Sequence, residues 1–190
     1  MGRIALRACA LLLLGLAVRA AHAASIQLEP SATSVPVDSL LTVQVYGTDF
    51  PLGADGGDFT LGWSSNLAYV GFEVANPPWD VSAFDDSAAD FGYLGFVDVF
   101  STTDTPGAGG VPFAIATLTL EALDEGPALV SVGASLVGWS LGGDTVDTDY
   151  GPDAEVEVTP ESAPEPSALA LIACACGALF RRGSSRSARD

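Results

Sequence analysis

Gly57-Asp58-Phe59-Thr60-Leu61-Gly62-Trp63 is followed, across the link Ser64-Ser65-Asn66-Leu67, by Ala68-Tyr69-Val70-Gly71-Phe72-Glu73-Val74. In the first run Phe59, Leu61 and Trp63 alternate with Asp58, Thr60 and Gly62; in the second, Ala68, Val70, Phe72 and Val74 take every other position. Neighbouring side chains of a strand point to opposite faces, so a period of two sends one set into a core and the other to solvent. Upstream, Leu41, Val43 and Val45 alternate with Thr42, Gln44 and Tyr46 in the same way. Further strands are expected over 26–29, 91–100, 113–123, 129–137 and 154–158. Each is bounded by turn formers such as Gly53-Ala54-Asp55-Gly56-Gly57, Asn76-Pro77-Pro78 and Pro106-Gly107-Ala108-Gly109-Gly110. No stretch has the spacing of a long helix. Seven to nine short strands between turn signals imply an all-β fold, an antiparallel two-sheet sandwich.

The two flanks read differently. Arg3 and Arg7, an apolar run over 8–18, and Ala21-His22-Ala23 form the charged, hydrophobic and small-residue parts of a secretory signal peptide. Cleavage is expected after Ala23, giving a mature chain that begins at Ala24, with signal peptidase as a processing partner. At the other flank come Pro164-Glu165-Pro166-Ser167, an apolar run over 168–180, and an end holding Arg181, Arg182, Arg186 and Arg189. As a helix, 167–180 would be about 21 Å long, short of the roughly 30 Å hydrocarbon core. The arginines place that end on the cytoplasmic side of a membrane. The expected organisation is 1–23 signal peptide, 24–160 sandwich domain, and 161–190 tail with motif 164–167, short transmembrane helix 168–180 and basic end 181–190.

The order of motif, apolar segment and basic end resembles the PEP-CTERM sorting tail of exported proteins in Gram-negative bacteria. Ala163 stands where such tails often have valine. The resemblance implies that an exosortase-type enzyme cuts at or near Pro164-Glu165-Pro166 and that the product goes to the cell surface or extracellular matrix. An uncleaved membrane anchor is the alternative. A second resemblance covers residues 26–158. The run from Gly57 to Leu67 with Val70-Gly71-Phe72-Glu73-Val74, and the later Ile115-Ala116-Thr117-Leu118-Thr119-Leu120, are similar to strands of cohesin-like domains. It implies a jelly-roll-like sandwich, within a broader group of sandwiches that bind partner modules or carbohydrate.

Charge is segregated along the chain. All seven basic residues are the arginines at 3, 7, 19, 181, 182, 186 and 189, and there is no lysine; of the 24 acidic residues only Glu165 and Asp190 lie outside 24–163. Such a domain has no internal ion pair, and its field opposes nucleic acid and anionic membranes. The only histidine, His22, precedes the expected cleavage site, and Cys9, Cys174 and Cys176 fall in the flanks. The domain therefore holds no disulfide, and Ser-His triads, cysteine nucleophiles, lysine Schiff bases and the usual zinc ligand sets are excluded from it. A pair of aspartates for glycoside hydrolysis is the mechanism this inventory leaves open, as the alternative to a non-catalytic protein or a purely structural matrix component.

Two uses of the remaining side chains are candidates. Asp144, Asp147, Asp149 and Asp153 are closely spaced oxygen donors of the kind Ca²⁺ takes, although Gly151 and Val158 stand where an EF-hand loop needs acids. Asp85, Asp86 and Asp90 form a looser group. No other cofactor is expected. Among the tryptophans, Trp63 continues the apolar face of Phe59 and Leu61 and belongs to the core. Trp79, beside Pro77-Pro78 and Asp80, is the candidate exposed platform for a carbohydrate ring, with local packing as its alternative.

Overall fold

The computed structural model describes residues 23–160. The signal-cleavage residue Ala21, the sorting motif Pro164, Glu165, Pro166 and Ser167, and the segments 168–180 and 181–190 lie outside them. Among the described residues no helix is long and apolar enough to cross a membrane.

Thirteen strands are present among these residues: β1 Ala24–Pro30, β2 Ser34–Pro36, β3 Leu40–Thr48, β4 Gly56–Trp63, β5 Leu67–Val74, β6 Val81–Asp85, β7 Tyr93–Phe100, β8 Phe113–Ala122, β9 Gly126–Ala134, β10 Trp139–Leu141, β11 Asp144–Val146, β12 Thr148–Tyr150 and β13 Ala154–Thr159. They form two sheets. The smaller runs β12-β1-β3-β8-β5; the larger runs from β2 and β13 through β9 and β4 to β7 and β6, with the β10–β11 hairpin against one end of β4. Phe59, Leu61, Val97, Val99 and Val130 from the larger sheet and Leu41, Val43, Val45, Leu118 and Leu120 from the smaller are buried between the layers. This face-to-face packing of two inner faces is what the alternating pattern requires.

Several sequence expectations change. The sandwich is not wholly antiparallel: β1 runs parallel to β12, and β2 parallel to β13. Second, the short strands β2, β6, β10, β11 and β12 carry too few residues for a period to show. Third, the alternation in β5 slips. A bulge between Tyr69 and Gly71 turns Val70 outward, where it is 50% exposed, while Tyr69 and Phe72 pack against the core. Residue 91 belongs to a three-residue 3₁₀ turn, Ala89–Phe91, and β9 ends at Ala134, three residues before the expected end of that strand.

Candidate functional site

The two sheets present unlike faces to solvent. Outside the smaller sheet, β3 and β8 pair Thr42 with Thr119 and Gln44 with Thr117, a polar centre with Leu40 exposed at the end of β3 and Val70 on the edge strand β5. Outside the larger sheet, Phe96 and Phe100 on β7 and Val81 on β6 are exposed, and Leu136 and Val137 stand fully or mostly in solvent on the loop between β9 and β10. Between β7 and that loop lies a cleft of about 360 Å³, floored by Gly56, Gly57 and Asp58.

Two glycines make the floor. A Cβ on Gly56 would come within 2.6 Å of the Phe100 ring, so its absence lets the ring lie over β4 on the outside. A Cβ on Gly57 would come within 2.3 Å of the Trp139 ring, so the same device on the inner side admits that indole to the core. Trp139 sits at the centre of an aromatic cluster, with Phe50 and Trp79 edge-on at 5.6 and 5.8 Å and Phe59 stacked at 6.5 Å. Its Nε1 is buried without a hydrogen-bond partner. Burial pushes the Tyr150 phenol up, the Asp58 carboxylate adds to the rise, and the neighbouring Trp139 indole partly offsets it, although its N–H closes no hydrogen bond of good geometry.

Asp58 is one of the few buried polar residues of the domain, 6% exposed. Its carboxylate accepts the backbone N–H of Val137 at 3.1 Å and that of Gly138, and its own N–H donates to the Gly138 carbonyl. Gly138 has φ +76°, the left-handed region that glycine adopts without strain. A buried carboxylate thus pins a loop whose Leu136 and Val137 side chains face solvent. Directly across the β4–β7 ladder from Asp58 lies Asp98. Burial raises the Asp98 pKa, and the Asp58 carboxylate raises it further. Like charges opposite one another on one sheet face repel, and no basic residue is present in the described chain to offset them.

Other aspartates also hold loops. Asp55 accepts the Ser140 hydroxyl at 3.1 Å and the Gly142 N–H at 2.6 Å. Asp80 accepts both the N–H and the hydroxyl of Thr102, and these hydrogen bonds lower its pKa. Hydrogen bonding from Ser87 lowers that of Asp85.

The candidates singled out in the sequence lie elsewhere. Trp79 is a correction: it is 2% exposed, packs edge-on against Phe113 and Trp139, and donates its Nε1–H to the Ala114 carbonyl at 3.0 Å. It offers no face to a sugar ring. Asp144, Asp147, Asp149 and Asp153 are exposed and are not brought together, because β11, which carries Asp144, pairs in the larger sheet, whereas β12, which carries Asp149, pairs in the smaller. Among the described residues no group of three or more His, Cys, Asp or Glu side chains could hold a metal ion, so the expected calcium cluster is not formed there, nor is one at Asp85, Asp86 and Asp90. Ala23 just precedes β1, and Ala24 begins it, buried and in register with Thr148. Asp98 carried no signal as a site residue, and most of the loop over 135–138 falls within the strand expected over 129–137, since the significance of both depends on which strands pair.

Comparison with solved structures places this geometry. The chain superposes on the seventh ScaB type I cohesin from Pseudobacteroides cellulosolvens with a TM-score of 0.58 at 12% identity, covering 75% of this chain and 96% of that one. The sixth cohesin of Acetivibrio cellulolyticus scaffoldin B, solved in complex with a Cel5 dockerin, gives 0.59 at 14% identity, covering 73% and 100%. The fold is cohesin-like. A type II cohesin domain from the Acetivibrio cellulolyticus cellulosome gives 0.56 at 14% identity, covering 71% and 95%. At these identities the likeness concerns the fold alone. No family model and no curated protein matches the chain.

Proposed function

We propose that this chain is an exported, non-catalytic binding module that docks a protein partner on the outer face of its larger sheet. The observation that carries the reading is the contrast between the two outer faces: threonine and glutamine over the middle of β3 and β8, with Leu40 and Val70 exposed at the end of β3 and on the edge strand β5, but Phe96, Phe100, Leu136 and Val137 around one cleft beside β4 and β7, with Val81 exposed on β6 opposite Phe100. Contiguous exposed apolar groups on a soluble domain mark interaction sites. Several cohesins of the same fold were solved with dockerins bound, which supports a protein as the ligand rather than a carbohydrate. Asp58 opposite Asp98 is a paired-carboxylate arrangement, but both Asp58 oxygens are engaged by backbone N–H groups of the loop, which favours a positioning role over acid–base chemistry.

Immobilised full chain incubated with the extracellular fraction of producing cells is expected to retain a discrete partner. Phe100→Ser should abolish retention and Thr119→Ser should leave it intact; equal loss with both variants would sink the assignment of the face. Export and sorting rest on the residues of the flanks. Intact mass spectrometry of protein recovered from its native cells is expected to find a species running from near Ala24 to near Pro164 or Glu165, on the cell surface or in the matrix. A species retaining Arg189 would make the tail an anchor instead.

A further inference from the structure

The cleft beside Asp58 has more definition than an apolar patch needs. One wall is the outer face of β7, with Phe96 and Phe100; the other is the loop over 135–138, hydrogen-bonded from below by the Asp58 carboxylate. At the floor, Asp58 and Asp98 oppose each other in a domain that supplies no cation of its own among the described residues. Two carboxylates facing each other across one ladder repel, and no described residue supplies a counter-charge, so a cation from outside would relieve that repulsion.

We infer, on the basis of the docking face proposed above, that this cleft takes a lysine or arginine side chain of the protein partner. The aliphatic stem lies between the phenyl rings of β7 and Val137, and the cationic head meets the Asp58–Asp98 pair. Long cationic side chains bury their methylene stems against apolar walls while the head seeks hydrogen bonds, and charge-assisted bonds to carboxylates are the strong ones. The alternatives fit less well. A calcium ion needs six to eight oxygen ligands, which walls of phenyl and aliphatic carbon do not supply. A phosphate or sulfate group would face two carboxylates with no donor of opposite charge. Burial and the Asp58 carboxylate both disfavour the Asp98 anion, and a cation beside it would favour that anion.

The test uses small probes of the same chemistry. The ¹⁵N-labelled full chain is titrated at constant ionic strength with n-pentylammonium chloride and n-butylguanidinium chloride, with n-pentanol as the neutral counterpart. Both cations are expected to shift the amides of Asp98, Val137 and Gly138 saturably, and pentanol is expected to leave them unmoved. Asp98→Asn should weaken the cations about fivefold or more, while Glu73→Gln, which removes the same charge from the exposed side of the smaller sheet, should change them less than about twofold. Equal shifts with pentanol would overturn the cation pocket and leave an apolar docking face standing. Shifts spread over the acidic surface and insensitive to Asp98→Asn would overturn it as well. Failure of the docking face itself would appear in partner retention by Phe100→Ser, a readout independent of these probes.

Discussion

Replacing Asp58 with alanine tests how the site is built. The carboxylate accepts two backbone N–H groups of the loop, from Val137 at 3.1 Å and from Gly138. A hydrogen bond to a charged acceptor contributes about 1.5–3 kcal/mol. Leu136 is fully exposed, so water can reach the loop and re-solvate the freed N–H groups, which points to the lower end, about 3 kcal/mol for the two. Against this stands relief of the repulsion across the ladder with Asp98, on the order of 0.5 kcal/mol. The expected net loss is about 2–2.5 kcal/mol, or very roughly 6–10 °C in Tm for a domain of this size. Urea denaturation of the full chain, with hydrogen exchange at Val137 and Gly138, measures it. Exchange at those two amides should accelerate well before the core strands open. Coupling gives a sharper check: Asp98→Asn should stabilise the parent chain but do little in the Asp58→Ala background. If Asp58→Ala leaves stability within about 0.5 kcal/mol, or raises it, the carboxylate does not hold the loop and the repulsion dominates.

Other expectations follow from the same physics. Gly57→Ala drives a Cβ into the buried Trp139 ring, and overpacking at so rigid a position should cost about 3 kcal/mol and perturb the near-ultraviolet circular dichroism; a variant as stable as the parent would show that the indole moves freely. Val70→Thr on the outward bulge of β5 should stay within about 0.5 kcal/mol, whereas Val45→Thr, which places a hydroxyl in the core, should cost about 2 kcal/mol; equal costs in equilibrium unfolding would contradict the register. Because the described domain carries only acidic charges, raising sodium chloride from low to moderate concentration should raise the urea midpoint, and a fall would contradict net repulsion. The pH dependence should have two limbs. Asp98, whose folded-state pKa is raised, binds its proton more readily when folded, so stability increases as pH falls from neutrality through that pKa. Asp80 and Asp85, whose folded-state pKa values are lowered, lose their contribution as pH falls further, through and below the unfolded carboxylate range. A midpoint that declines steadily from neutrality downward would oppose the first limb.

The long strands were legible because each repeats its period often enough to be read. Leu41, Val43 and Val45, and Phe59, Leu61 and Trp63, all face the core as their alternation requires. Val70 defeated the same rule, because a bulge adds a residue without leaving a mark in local composition. The three-residue strands were invisible, and with them the parallel β1–β12 and β2–β13 pairings that make the sheets mixed. Trp79 looked exposed from its proline and aspartate neighbours, yet its ring fills space under β8 that no local pattern describes. In the sequence the aspartates stand out only as turn formers, metal ligands or a catalytic pair. Asp55, Asp58 and Asp80 instead accept hydrogen bonds from chain segments between 22 and 87 residues away. Long-range partners of this kind are set by strand order, and the cleft they build becomes apparent only once β7 and the 135–138 loop are placed on either side of β4.

The central claim is that the outer face of the larger sheet docks a partner. A photo-crosslinking benzoylphenylalanine introduced in place of Phe100, and in a second variant in place of Gln44 on the polar face of the smaller sheet, tests it in intact producing cells. The account predicts a discrete protein adduct from position 100 and none from position 44. Adducts from position 44 with none from position 100 would contradict it.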